Sequence, residues 1–306
     1  MSDPVVDIQG LTHRYGSVTA VNGLHLQVFA GELFALVGPD GAGKTTTIRI
    51  LCGILAPGEG SVRVLGHDIR RERGWITSHV GYFSQRFTLY GDLTIDENIE
   101  FFARLHGVRG FRERRDQLLS FTRLQAFRSR LADRLSGGMK QKLALACTLI
   151  HSPRLVLLDE PTTGVDPVSR REFWLILSEL LAQGITILMS TPYLDEAERA
   201  TRVGLLHEGR LLAMDTPARV RQSVGGSVLE VVAPDIRRAC AVLRSAGHDA
   251  QLFGDRLNAV VPDAASGEAA VRSVLEASGI PVEFLRVIPS SLENAFISLV
   301  KSGGGR

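Results

Sequence analysis

The 306 residues carry 35 Lys and Arg against 33 Asp and Glu, a net charge of +2 that selects no partner by itself, and their apolar content suffices for about two domains. Cys52, Cys147 and Cys240 stand far apart and the eight histidines show no paired ligand spacing, so neither a disulfide framework nor a metal cluster is expected, as suits a reducing cytosol. No uninterrupted apolar run approaches the roughly 18 residues of a membrane span and Met1-Ser2-Asp3-Pro4 does not open a signal peptide, so any membrane-spanning part is expected on another polypeptide.

In chain order, the short apolar run Leu33 to Val37 predicts a strand, and Ile48, Leu51, Cys52 and Leu55 repeat at helical spacing. Between them Gly38-Pro39-Asp40-Gly41-Ala42-Gly43-Lys44-Thr45 matches G-x-x-x-x-G-K-[ST] at every fixed position. Glycines there let several backbone N–H groups point at phosphate oxygens without a Cβ in the way, and the following helix adds favourable potential. Lys44 is expected to reach the β- and γ-phosphates of a triphosphate, and the Thr45 hydroxyl to take a Mg²⁺ position. A glycine turn that binds nothing is the plain alternative.

Asp92 to Leu105 and Phe111 to Leu124 read as two amphipathic helices with apolar faces marked by Ile95, Ile99, Phe102, Leu118 and Phe121. The runs Arg70-Arg71-Glu72-Arg73 and Arg112-Glu113-Arg114-Arg115 are interrupted by acids and are read as solvated faces, not nucleic-acid patches. Ser136-Gly137-Gly138 opens a nearly continuous apolar stretch, Leu143 to Ile150, that predicts a buried helix whose amino end is a second anion site. Leu155-Val156-Leu157-Leu158 predicts a strand delivering Asp159 and Glu160 at its carboxyl end, where ligands bind in open α/β sheets. Asp159 suits a contact to Mg²⁺ and Glu160 suits polarising an attacking water; favouring the next helix's dipole is the alternative for such a pair.

Pro217 to Val224 reads as a last helix before Gly225-Gly226 punctuates the chain. Val228 to Val232, Ile236 to Ala246, Ala250 to Phe253, Leu257 to Val261, Gly267 to Ala277 and Val282 to Val287 then read as βαββαβ, a small ferredoxin-like unit. The expected division is 1–224, 225–301 and a disordered tail 302–306.

The ordered set of the phosphate loop, Gln85, Leu135-Ser136-Gly137-Gly138-Met139, Asp159-Glu160 and Gly164-Val165-Asp166-Pro167 resembles the nucleotide-binding subunit of an ATP-binding cassette (ABC) transporter over residues 5 to 220. The resemblance implies an α/β P-loop cassette with a RecA-like core and a helical subdomain at about 86–151, and ATP and Mg²⁺ as cofactors. It implies that Tyr15 stacks on adenine, that Thr46 joins the phosphate loop, and that Gln85 is both a metal-side and a catalytic residue beside Lys44 and Glu160. Ser136, Gly137 and Gly138 would contact the γ-phosphate held by an opposing subunit, and Arg86, Phe87, Leu89 and Tyr90 would sit where a membrane-spanning permease subunit docks, unless those aromatics are core. The chain would lie on the inner face of the cell membrane and pair with a second ATPase subunit. Ser290-Ser291-Leu292-Glu293-Asn294-Ala295-Phe296 resembles the accessory region of drug-exporter ATPases.

Two departures stand out. Proline occupies position 192, in Ser190-Thr191-Pro192-Tyr193-Leu194-Asp195-Glu196-Ala197-Glu198, where the family usually has a histidine that contacts the γ-phosphate; Asp40 replaces a common asparagine. Both resemble the first, less active half of tandem exporter ATPases, and predict a weakened but Mg-ATP-binding site. A non-hydrolysing ATP-gated scaffold and a soluble ABC protein of ribosomes or DNA are the other classes; the second lacks the coiled coil, second cassette or zinc cysteines it would need.

Overall fold

The computed structural model describes residues 3–85 and 89–303. The chain forms two compact units, Met1–Thr216 and Pro217–Arg306.

In the first unit β1 (Val6–Tyr15) and β2 (Val18–Val28) make a hairpin, followed by β3 (Leu33–Val37), α1 (Lys44–Leu51), β4 (Glu59–Val64), β5 (His67–Asp68), α2 (Arg73–His79) and β6 (Val80–Phe83). Next come α3 (Ile95–Leu105), α4 (Arg112–Phe121) and α5 (Gly137–Leu149), then β7 (Leu155–Asp159), α6 (Pro167–Ala182), β8 (Thr186–Thr191), α7 (Leu194–Ala197), β9 (Arg202–His207) and β10 (Arg210–Asp215). The strands sort into an antiparallel sheet, β2-β1-β4-β5, and a sheet in the order β10-β9-β3-β8-β7-β6, parallel except at its β10 edge.

Strands β3, β7 and β8 are buried at every residue, the pattern of a parallel sheet covered on both faces, which is why β3 and Leu155 to Leu158 of β7 read in sequence as unbroken apolar runs without alternation. One continuous core joins this sheet to the hairpin through Ile8, Leu26, Phe34, Ile48 and Leu188. The crossover from β3 leaves the sheet's carboxyl edge through the glycine loop and returns as α1, so the loop and the ends of β7 and β8 gather at one edge.

Helix α3 starts at Ile95, three residues later than the apolar pattern suggests. Thr94 and Glu97 close a capping box in which each side chain accepts from the other's backbone N–H, which fixes the first turn. Helices α3 and α4 pack on α5. Only half of the arginine run on α4 is a solvated face, with Arg112 and Glu113 exposed. Arg115 is nearly buried beside Asp96, and Arg114 is half-buried, because the helix turns these two stems inward past Leu118 and Leu119.

The second unit begins at α8 (Pro217–Gln222), eight residues before the expected boundary, because α8 packs against the terminal helix α11 (Leu292–Gly303). The glycine pair therefore lies within this unit; a Cβ at Gly226 would stand 2.3 Å from the Val261 carbonyl oxygen. Between these helices run β11 (Ser227–Val232), α9 (Ile236–Ser245), β12 (Asp249–Phe253), β13 (Arg256–Val261), α10 (Ala264–Ala277) and β14 (Phe284–Ile288). The antiparallel sheet has the order β12-β13-β11-β14, that of a split βαβ, with Leu229, Val231, Ala239, Leu243, Ala259 and Val271 in its own core. Helix α11 includes Ser302 and Gly303; Gly304 to Arg306, the rest of the expected disordered tail, lie outside the described residues.

Candidate functional site

The loop after β3 is shaped by glycines that nothing else can replace. A Cβ at Gly38 would lie 2.1 Å from the Leu206 carbonyl oxygen, and Gly43 combines φ +100° with a Cβ position 2.3 Å from the Ala20 carbonyl oxygen. Gly43 is the N-cap of α1; it offers no side chain to the first turn, and that turn holds no acid, so its amides remain available to an anion.

Lys44 is buried, and its ammonium donates to the carbonyls of Gly38 (2.8 Å) and Pro39 (3.0 Å) while standing 3.3 Å from Glu160 Oε1. The other Glu160 oxygen accepts from Gln85 Nε2 at 2.9 Å and from the Thr163 hydroxyl at 3.4 Å. Glu160 has a left-handed backbone, φ +48°, held by its N–H donating to Ser190 Oγ at 3.0 Å.

Asp159, at the end of β7, is fully enclosed. Its Oδ1 accepts from Thr45 Oγ1 (3.0 Å) and Ser190 Oγ (2.7 Å), while Oδ2 is buried with no hydrogen-bond partner. Burial pushes this carboxyl above the usual Asp range, opposed by the Ser190 and Thr45 hydroxyls. Its surroundings share the effect: burial, then the nearby Asp159 charge, raises the Cys52 thiol and brings the Tyr82 phenol up to about 12.

A cavity of about 440 Å³ is lined by Asp40, Gly41, Ala42, Gly43, Lys44, Thr45 and Thr46 together with Gln85 and Glu160. Its remaining wall is Val18, Thr19 and Ala20 of β2, which the sequence did not flag because they reach the loop only through the fold. Gly38 and Pro39 take part through the carbonyls that hold Lys44. Tyr15 is half-exposed at the end of β1, cross-strand from Val18. Ser136, Gly137 and Gly138 do not line this cavity. Ser136 caps α5, its Oγ accepting from Met139 N–H at 3.3 Å, and Gly138 lies so close to Ser169 of α6 that a Cβ would meet its Oγ at 2.2 Å. A second cavity of about 440 Å³ on the side of Lys140 and Gln141 shares Gln85 and Glu160 as its wall. Arg86 and Phe87 lie outside the described residues; Leu89 is half-buried, and exposed Tyr90 rests against Phe101 at 4.5 Å.

Two working residues went unassigned in the sequence. Ser190 ties Asp159 to the Glu160 backbone. Glu196, on α7 and 2% exposed, accepts from the Thr162 hydroxyl (2.6 Å) and the Thr191 hydroxyl (2.8 Å), with Arg170 Nε 3.6 Å away, so it joins the turn after Glu160 to the segment around Pro192. Among the described residues no helix is long and apolar enough to cross a membrane.

The ABC transporter family matches residues 21–163. The "Probable multidrug ABC transporter ATP-binding protein YbhF" of Escherichia coli (strain K12) is 42% identical over 217 residues, 70% of this chain and 38% of that protein. The chain thus spans well under half the length of that relative. Daunorubicin resistance ATP-binding protein DrrA3 of Streptomyces coeruleorubidus is 35% identical over 305 residues, covering 98% of this chain and 96% of its own. Among solved structures, an ATP binding subunit of an ABC transporter superposes with a TM-score of 0.66 at 30% identity, over 72% of this chain and 93% of that one. A phosphate loop whose lysine, threonine and two downstream acids meet at one sheet edge accounts physically for that likeness, and with relatives matching nearly end to end the chain belongs to the ATP-binding proteins of the ABC transporter family.

Proposed function

We propose that the chain binds Mg-ATP at residues 38–46, hydrolyses it slowly, and so drives export by a separate membrane-spanning subunit. The observation that carries the reading is the convergence of Lys44, Thr45, Gln85, Asp159 and Glu160 on one cavity edge. Lys44, drawn off Glu160, reaches the β- and γ-phosphates, and the free amides at the start of α1 cradle them. The enclosed Asp159 Oδ2, the Thr45 hydroxyl and the Gln85 amide oxygen are hard oxygen donors that fit Mg²⁺. That cation supplies charge neutralisation on the phosphates. Glu160, released from Lys44 and Gln85, orients and deprotonates the attacking water. Tyr15 stacks on the adenine, and Ser136, Gly137 and Gly138 complete the site of an opposing subunit, so ATP closes a pair of subunits and its loss opens them.

A drug-like cargo follows the words multidrug and daunorubicin resistance in the names of YbhF and DrrA3, while export and a position on the inner face of the membrane rest on the resemblance to drug-exporter ATPases. Coupling needs only a few kcal/mol of ATP preference for the closed pair. Pro192 has no N–H and no imidazole to meet a γ-phosphate, which favours a second reading: a degenerate site that gates without turnover beside a catalytically complete partner.

Mg-ATP turnover of the purified chain, beside Glu160→Gln and Pro192→His, decides between them once ATP binding is shown for all three. Turnover abolished in Glu160→Gln supports the hydrolysing subunit. Binding without turnover, with activity gained in Pro192→His, supports the degenerate site. Absence of ATP binding by the wild-type chain overturns both.

A further inference from the structure

Among the described residues, the basic stretch of the helical region holds one half-buried guanidinium with no counter-charge. Arg115 has the Asp96 and Asp116 carboxylates each at 3.5 Å, although its Nε makes no hydrogen bond, and Arg128 is paired with Asp96 and Asp116 at 2.9 and 3.0 Å. Arg114 has no carboxylate within 4 Å among the described residues. Its only hydrogen bond among those residues is a long 3.5 Å one from a terminal nitrogen to Gln117 Oε1, and its Nε is enclosed without a partner there. A half-buried cation left in this state is disfavoured, and burial accordingly pulls Arg114 below the usual arginine range.

Arg114 opens onto a pocket of about 250 Å³ between α4 and the carboxyl end of α6. Gln117 and Gln183 add amide groups; Leu118, Phe121 and Leu180 form the remaining wall, with Leu118 and Leu180 both only 2% exposed. The pocket falls below the roughly 300–1,000 Å³ of drug-sized sites, so its ligand is small. One guanidinium can hold one carboxylate through two parallel hydrogen bonds, whereas a phosphate dianion asks for more donors than this wall offers. The apolar side takes a short hydrocarbon or a single ring.

We propose that this pocket is a second ligand site, separate from the nucleotide cavity, which binds a small carboxylate carrying an apolar group and pairs it with Arg114. The ligand would bridge α4 to α6, the helix that follows Asp166, and so span the helical layer and the core.

The test is a titration of the full-length chain with benzoate and, separately, with inorganic phosphate, followed by the methyl NMR signals of Leu118 and Leu180. Benzoate is expected to move both signals saturably, about tenfold more weakly in Arg114→Gln, as for a lost charge-assisted hydrogen bond. Arg114→Lys keeps the charge without the planar fork and should lose less. Arg112→Gln on the exposed side of the same helix should match wild type. No saturable shift in wild type, or equal affinity in Arg114→Gln, overturns the site. Inorganic phosphate moving the same methyls with the affinity of benzoate overturns the carboxylate assignment.

Discussion

Glu196 shows how much of this site depends on a residue that lines neither of the two cavities around Glu160. Both of its oxygens are taken by buried hydroxyls, Thr162 at 2.6 Å and Thr191 at 2.8 Å, and Thr191 in turn accepts from the Tyr193 N–H at 3.1 Å. Arg170 supplies the balancing charge at 3.6 Å and also lies over the Tyr193 ring. Glu196→Ala would leave two hydroxyls and a guanidinium without their acceptor, at a cost of about 1–3 kcal/mol per buried group, so a loss of about 2–5 kcal/mol is expected in urea unfolding. Glu196→Gln keeps one carbonyl acceptor and should lose less; equal stability of all three proteins would show that the hydroxyls simply turn to other partners. Gly43→Ala makes a sharper case. A Cβ there meets the Ala20 carbonyl oxygen at 2.3 Å in a backbone conformation with φ +100°, so ATP binding should fall at least tenfold, read by nucleotide titration. The glycine requirement was legible in sequence because the spacing of one short motif signals it, although the Leu206 and Ala20 carbonyls that enforce it come from distant strands. The role of Glu196 was not, because Thr162 is 34 residues away and only the fold brings it near.

Among the elements, α3 and α5 meet at a pair of stacked imidazoles. His106, the C-cap of α3, and His151, just past α5, lie 4.1 Å apart and 9° from parallel. His151 Nε2 is 3.3 Å from the Val80 carbonyl, which assigns the proton to that nitrogen, and its enclosed Nδ1 has no partner. Burial first, then His106, brings His151 down to about 4 from its ordinary 6.5, and burial also lowers His106. Below pH 6.5 the unfolded chain takes up a proton that the folded chain refuses until about pH 4, so stability is lost as pH falls through that window. The urea midpoint should therefore drop between pH 7 and pH 5 more steeply in wild type than in His151→Phe; superimposable pH profiles would sink the assignment. Elements themselves were legible where one signal suffices. The apolar runs of β3 and β7 and the strand-like segments of β11 to β14 are visible in the sequence, whereas sheet order rests on contacts between distant segments. Of the α4 arginines Arg115 was misread for the same reason: acids interleaved in sequence need not be the acids that pair, and Arg115 finds Asp96 on another helix.

At the scale of the whole molecule the two units have separate cores, one built on Ile8, Phe34 and Leu188 and the other on Leu229, Leu243 and Val271. All residues of the nucleotide cavity belong to Met1–Thr216. Calorimetry of the intact chain should then resolve two transitions, of which Mg-ATP moves one. At a hundredfold excess over its dissociation constant a ligand stabilises its unit by about 2.7 kcal/mol, which for a unit of this size corresponds to roughly 5–10 °C. Leu229→Ala identifies the other transition. Leu229 is fully buried in the second core, so its truncation should remove about 2–5 kcal/mol there and lower only the transition that Mg-ATP leaves alone. A single transition moved by both changes would mean that the two cores unfold as one. In that case the α8–α11 unit would be part of the ATPase's cooperative structure, and its contribution would have to be sought in the response to nucleotide.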